Sequence, residues 1–83
     1  MMINVLFFAQ IRDQLGVSGL QLPSAENNDL TTLLKNLKSL DSNYLSVLSK
    51  GSLMVAVNQT MQADNVPLYS GDEVAFFPPV TGG

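Results

Sequence analysis

The residues that could carry chemistry lie at the C-terminal end of the sequence, which finishes with Gly82 and Gly83. Cysteine and histidine are absent from the 83 residues, which excludes thiol nucleophiles, disulfide bonds, the usual zinc sites and imidazole acid–base catalysis. We therefore expect no metal site, and the group left for covalent chemistry is the terminal carboxylate of Gly83.

That carboxylate needs activation before it can react. It is ionised at neutral pH and resists nucleophiles, so the simplest route is an acyl-adenylate made from ATP. The sequence has no glycine-rich phosphate loop, so we expect a separate enzyme to use the ATP and this chain to bind no cofactor. An amine would then give a ubiquitin-like conjugate, whereas a sulfur species would give a terminal thiocarboxylate.

The last six residues are suited to deliver this group into another protein. They are Pro78, Pro79, Val80, Thr81, Gly82 and Gly83. They carry no charged side chain, and fully extended they reach roughly 20 Å at about 3.3 Å per residue. The prolines stiffen the start of this tail and the glycines leave its end as bare backbone. The alternative is a frayed chain end without a role.

Length and composition indicate one small domain with protein partners. We expect a single core over residues 1–77, followed by the tail 78–83. Hydrophobic residues make up 46% of the chain and charged residues only 13%, which argues against disorder. A net charge of -3 argues against binding to nucleic acid or to an anionic membrane. The apolar run at residues 1–9 is too short to span a bilayer and lacks the basic start of a signal peptide, so we expect a cytoplasmic protein.

The periodicity predicts strands, then a helix, then more strands. Leucines at 30, 33, 34, 37 and 40 form one apolar stripe, which predicts a core-packed amphipathic helix with Asn28 or Asp29 as its N-cap. We predict strands at residues 2–8, 20–22, 53–57, 60–63 and 73–77, and short helices at 11–15 and 42–48, the second ending at Lys50 and Gly51. This order is that of an α+β roll in which a mixed sheet of four or five strands packs on one main helix.

Alternation along the first and last predicted strands indicates which side chains stay outside the core. Asn4 and Glu73 should point away from the helix, because burying an unpaired carboxylate is costly. The same faces then expose Phe8 and Phe77, with Leu6 and Met61 nearby. An apolar patch of this kind on a small protein typically marks a partner site. The alternative is that other parts of the chain cover it.

Three segments carry a resemblance to a known family: VLFFA at 5–9 followed by Arg12, AVNQT at 56–60, and above all GDEVAFFPPVTGG at 71–83. They resemble the MoaD family, the small sulfur-carrier subunits of molybdopterin synthase. The resemblance covers nearly the whole chain and implies a ubiquitin-like β-grasp fold. It also implies that the chain is not catalytic alone.

The resemblance further implies a reaction sequence for Gly83. A MoeB-type enzyme would adenylate it with ATP, sulfur would replace the adenylate, and the thiocarboxylate would enter the MoaE-type large subunit of a heterotetramer. There the sulfur would pass to cyclic pyranopterin monophosphate. The resemblance places Phe8, Met61 and Phe77 at the subunit interface and suggests a polar contact for Arg12.

Three other functions stay open at this point. A thiamine-type (ThiS) carrier would deliver sulfur to a different pathway, although the ending at 76–83 is not typical of that group. A protein modifier would join Gly83 to lysines through an isopeptide bond. A plain interaction domain would have an inert tail.

Overall fold

The computed structural model describes residues 1–49 and 53–79. The strands are β1 (Met2–Phe7), β2 (Gly19–Pro23), β3 (Met54–Val57), β4 (Thr60–Met61) and β5 (Glu73–Phe77). The helices are α1 (Ala9–Leu15), α2 (Leu30–Lys38) and α3 (Ser42–Leu48), with a 3-10 turn at Ser24–Glu26. The predicted order of strands and helices is confirmed, apart from the 3-10 turn, which the sequence analysis did not foresee.

The five strands form one mixed sheet in the order β2-β1-β5-β3-β4. The central pair, β1 and β5, is parallel, while the other neighbours are antiparallel. Because the last strand pairs on both edges, its final residue Phe77 is held opposite Met54 of β3. This pairing fixes the point from which the tail departs.

One face of the sheet packs on the helices and forms the core. Alternate residues of β1, namely Ile3, Val5 and Phe7, are almost fully buried, as the alternation predicted. Leu33 and Leu37 of α2 are also fully buried in this core. The other core residues are Ile11, Leu30, Val47, Leu48, Val57, Leu68, Val74 and Phe76. The leucine stripe therefore serves core packing, as predicted.

The main helix ends earlier than the leucine pattern predicted. It stops at Lys38, and Leu40 is 50% exposed, so its assignment to the apolar stripe was wrong. The amide of Leu40 donates to the carbonyl of Leu37, which tightens the last turn, and the Asp41 carboxylate then caps α3 by accepting from the amide of Tyr44. The chain must turn between the end of α2 and the Asp41 cap of α3, and this turn carries Leu40 away from the core.

Other boundaries shift by a few residues. The return strand predicted at residues 60–63 is confined to Thr60–Met61, which pair with Val57 and Ala56 of β3. Asp29, not Asn28, caps α2 by accepting from the amide of Thr32 at 2.7 Å. The predicted stop at Lys50 and Gly51 lies outside the described residues. No helix within the described ranges is long and apolar enough to cross a membrane.

Candidate functional site

The base of the tail lies at one end of the sheet, where β5 ends and β1 meets α1. Phe8 directly follows β1, and its amide donates to the carbonyl of Phe76 at 3.1 Å. This bond places Phe8 beside Phe77. Their rings stack nearly parallel, with centroids 4.9 Å apart and an interplanar angle of 8°.

An apolar surface surrounds this stack. Phe8 is 39% exposed and Met61 is 50% exposed, while Phe77 is half-buried. A depression of about 410 Å³ lies over them, lined by Ala9, Met54, Met61, Phe77, Pro78 and Pro79. We call these six residues, together with Phe8, the tail-base surface. It brings together three of the four predicted interface residues and leaves them uncovered by the described part of the chain.

Arg12 lies one helical turn beyond Phe8 and does not line that depression. Its backbone amide donates to the carbonyl of Phe8 at 3.4 Å, whereas its side chain is exposed. The guanidinium lies 3.9 Å from the carboxylate of Asp13, a weak pair between two exposed groups. The guanidinium is therefore available to a polar group outside the chain.

Met54 and Ala9 belong to the tail-base surface but were not predicted. Met54 pairs with Phe77 across β3 and β5, so its side chain shares the face of Phe77. Alternation along β3 could have predicted this position, because it places Met54 on the face opposite to that of its neighbour Val55, which is the more buried of the two. Ala9 has a φ of 53°, an uncommon conformation for a residue with a side chain, and no sequence pattern indicates it.

The two prolines of the tail-base surface also lie beside helix α1. Pro78 is half-buried and Pro79 is exposed. Both also line a small cavity of about 50 Å³ beside Gln10 and Ile11 of α1. The two prolines thus separate the depression of the tail-base surface from the small cavity beside α1. The remaining predicted tail residues, Val80, Thr81, Gly82 and Gly83, lie outside the described residues.

The described residues offer little chemistry of their own. In the ranges 1–49 and 53–79, no group of three or more acidic side chains could hold a metal ion, and no buried polar side-chain atom lacks a hydrogen-bond partner. What this end of the sheet provides is an exit for the tail and an apolar surface beside it.

Comparison with known proteins assigns the chain to a family. The ThiS family matches residues 5–83. The chain belongs to the ThiS family. A protein of Haemophilus influenzae is 44% identical to this chain over 85 residues, covering 99% of this chain and all of that protein; it is named molybdopterin synthase sulfur carrier subunit. The MoaD resemblance is thereby confirmed.

Solved structures agree with the fold of this ThiS-family chain. Subunits 1 and 2 of the molybdopterin-converting factor from Helicobacter pylori were solved as a complex. One chain of that complex is 28% identical to this chain and matches its structure with a TM-score of 0.74. The match covers 100% of each of the two chains. Small archaeal modifier protein 1 from Methanosarcina acetivorans matches with a TM-score of 0.74 at 23% identity, covering 100% of this chain and 99% of that one. The latter likeness concerns the fold alone. The ubiquitin-like β-grasp is confirmed.

Proposed function

We propose that this chain is the sulfur carrier subunit of a molybdopterin synthase. The observation that carries the proposal is the 44% identity with a protein of that name over 99% of this chain. The Gly82-Gly83 ending and the uncovered tail-base surface support it, because a carrier needs a reactive end and a docking face.

In the proposed reaction, Gly83 is the group that carries sulfur. An oxygen of its carboxylate attacks the α-phosphorus of ATP on a separate MoeB-type enzyme, and pyrophosphate leaves. Sulfide-level sulfur (HS⁻) then attacks the acyl carbon, AMP leaves, and Gly83 ends in a thiocarboxylate. In the MoaE-type large subunit that sulfur bonds to a carbon of cyclic pyranopterin monophosphate and displaces an oxygen substituent. Water then cleaves the acyl–sulfur bond, which leaves the sulfur on the pterin and restores the carboxylate of Gly83. ATP is thus a substrate of the partner enzyme and not a cofactor of this chain.

The docking part of the proposal rests on the tail-base surface. Phe8, Phe77, Met61 and Met54 would pack against the large subunit, and the tail from Pro78 to Gly83 would enter it. Aromatic and methionine side chains are enriched at the centres of such interfaces. Arg12, one turn away and exposed, would meet a polar group of the partner at the rim. Assembly into a heterotetramer and a cytoplasmic location belong to the same proposal.

The deciding experiment is the intact mass of the chain after incubation with ATP, an activating enzyme of the MoeB type and a sulfur source. We expect a gain equal to the exchange of one oxygen for sulfur, and no gain in a variant lacking Gly83. An unchanged mass, with the same enzyme active on another carrier, would contradict the proposal.

Two further readouts separate the alternatives. Formation of molybdopterin after addition of the large subunit and the pterin substrate would distinguish this carrier from a thiamine-type one. A ladder of covalent adducts in cell extract that depends on Gly83 would indicate a protein modifier instead.

A further inference from the structure

A second exposed apolar feature lies on the helices, across the core from the tail-base surface. It is a groove of about 540 Å³ between α2 and α3, lined by Thr31, Leu34, Lys35, Lys38, Ser39 and Leu45. We call these six residues the helix groove. Helix α2 packs on the face of the sheet that buries Phe76, whereas Phe77 and the tail-base surface belong to the opposite face. The helix groove is therefore separate from the docking surface of the proposed function.

The apolar part of the helix groove consists of two leucines, one from each helix. Leu34 is half-buried against the core, and Leu45 is 51% exposed although it lies in the middle of α3. A single exposed leucine is common on a protein surface and indicates nothing. Here, however, Leu34 and Leu45 line the same groove, so the exposed apolar surface continues from one helix to the next.

Two lysines border these leucines. Lys35 is exposed and Lys38 is half-buried, and they lie three residues apart on α2, where like charges repel each other. In the ranges 1–49 and 53–79, no carboxylate forms an ion pair with either lysine. Asp41 is the acidic residue that follows Lys38 most closely in the sequence, but its carboxylate accepts from the amide of Tyr44 at 2.9 Å. The two positive charges are thus uncompensated in the described part of the chain.

The charge of the helix groove is opposite to that of the whole chain. The chain has a net charge of -3 and four basic residues, of which Lys35 and Lys38 are two. Among the described residues, no acidic side chain lines the groove. The negative end of α2 favours lysines in its last turn, but it does not account for the exposed leucines beside them. Positive charge around an apolar centre complements a surface on which carboxylates flank an apolar side chain.

We propose that the helix groove binds an acidic amphipathic segment of another protein, with an apolar side chain between the two leucines and carboxylates against the two lysines. The partner's carboxylates relieve the repulsion between the lysines, and its apolar side chain removes Leu45 from water. Nucleic acid and anionic membranes fit less well, because the rest of the chain is acidic and repels phosphate. Since the tail-base surface lies across the core, such a partner leaves the tail free.

A titration of the full chain with synthetic peptides tests this recognition. The first peptide is a helix former of about 15 residues with leucines three and four positions apart and glutamates between them. In the second peptide lysine replaces glutamate, and in the third serine replaces leucine. Amide chemical shifts of the labelled chain report the site and the affinity of each peptide.

We expect the acidic apolar peptide to bind with a dissociation constant of about 1 mM or lower and to shift the amides of the helix groove. The other two peptides should bind about tenfold more weakly or not at all, because each lacks one of the two complementary features. Absence of binding, equal binding of all three peptides, or shifts centred on the tail-base surface would overturn the proposal.

The charge contact is tested by Lys35→Gln and Lys38→Gln. We expect each to weaken binding of the acidic peptide about threefold at low salt, and both together about tenfold, with a smaller dependence of affinity on salt. Ser18→Glu is the matched control, because it changes the net charge equally at an exposed position outside the groove. Lysine variants that bind the peptide as the Ser18→Glu chain does would show that the lysines play no part.

The apolar contact is tested by Leu45→Gln, which keeps a good helix former at this position. Because Leu45 is half exposed, we expect the thermal midpoint to change little and the affinity for the acidic peptide to fall about fivefold or more. Val17→Gln is the control, since Val17 is 40% exposed and does not line the groove. Undiminished affinity of Leu45→Gln would overturn the proposal.

Two other occupants are tested with the same variants. Sedimentation of the chain alone measures self-association, and a dimer that Leu45→Gln abolishes would show that a second copy covers the groove. Vesicles containing an anionic lipid test a membrane surface. Binding to such vesicles through the two lysines, without binding to the acidic peptide, would likewise overturn the proposal. A failed mass gain at Gly83 would contradict the proposed function alone, because no groove residue belongs to the tail.

Discussion

At the scale of single residues, two adjacent phenylalanines of β5 have opposite environments. Phe76 is 1% exposed and stacks on Phe7 in the core, whereas Phe77 lies on the opposite face of the sheet, against Phe8. The alternation of a strand accounts for this difference. Stability and partner binding should therefore be separable by neighbouring substitutions.

We expect Phe76→Ala to reduce the free energy of unfolding by about 3–5 kcal/mol, because it empties a buried site. Phe77→Ala should cost much less stability but lower the affinity for the large subunit about tenfold or more, as expected of an aromatic side chain at the centre of an interface. Urea unfolding and a binding titration measure the two effects. Equal affinity of Phe77→Ala and the unsubstituted chain would contradict the docking proposal.

A second residue-scale feature is the turn between β3 and β4. Asn58 and Gln59 both have positive φ, at 49° and 69°, which is the pattern of a two-residue hairpin turn that prefers Asn-Gly. Asn58 suits this turn, and its side chain also accepts from the amide of Glu73 at 3.0 Å. Gln59 is the strained member of the pair.

Replacing Gln59 should therefore act in opposite directions according to the new residue. We expect Gln59→Gly to raise the free energy of unfolding by about 0.5–1 kcal/mol, because glycine adopts positive φ freely. Gln59→Val should lower it, since β-branched residues tolerate this conformation poorly. Urea unfolding of both variants is the measurement, and a destabilising glycine would show that the turn is not strained.

At the scale of elements, α2 depends on its N-cap. The Asp29 carboxylate accepts from the amide of Thr32, and hydrogen bonds with Thr32, with a smaller contribution from Asn65, lower its pKa below the ordinary 3.8. Folding therefore favours the ionised form. The stability this adds is present above the unfolded pKa and is lost as the pH falls through the lower folded value.

We predict that Asp29→Asn is less stable than the unsubstituted chain at neutral pH. The difference in stability between the two chains should disappear on acidification. Asparagine keeps a capping oxygen but removes the charge. The difference should close as the pH falls below about 5 and through the lowered pKa of Asp29, where the ionised carboxylate loses its advantage. Thermal unfolding across that range measures it, and a gap that stays constant would show that the charge plays no part.

At the scale of the whole molecule, the last strand lies in the middle of the sheet. It pairs with β1 on one edge and with β3 on the other, and the tail begins after it. We therefore expect folding not to depend on the tail, and the domain boundary after residue 77 stays a prediction.

We expect a chain ending at Phe77 to keep its free energy of unfolding within about 1 kcal/mol, because the removed residues lie outside the sheet and, of those described, Pro78 is only half-buried and Pro79 is exposed. The same chain should acquire no sulfur. A chain ending at Asp72 lacks β5 and should not fold. Circular dichroism and intact mass measure these outcomes, and unfolding of the chain ending at Phe77 would show that the tail is part of the domain.

The fold by itself does not decide between carrier and modifier. The structure resembles both a subunit of a molybdopterin-converting factor and an archaeal modifier protein, with the same TM-score of 0.74. A shared fold does not specify a function. The choice therefore rests on the 44% identity of the chain to a protein named as a carrier subunit.

The sequence by itself determined the features that depend on near neighbours. The leucine period predicted α2, alternation predicted the buried faces of β1 and β5, and the absence of cysteine and histidine directed attention to Gly83. Each of these signals repeats within one or two turns of helix or a few strand residues. Local sequence is sufficient for them.

Only the tertiary structure decided what depends on distant pairing. The register of β3 against β5 brings Met54 beside Phe77, and the order of the strands places Ala56 and Ala75 between larger side chains. The end of α2 before Leu40 likewise depends on the cap that starts α3. Periodicity contains no information on which strands are neighbours or in which register, because these follow from the packing of the whole sheet on its helices.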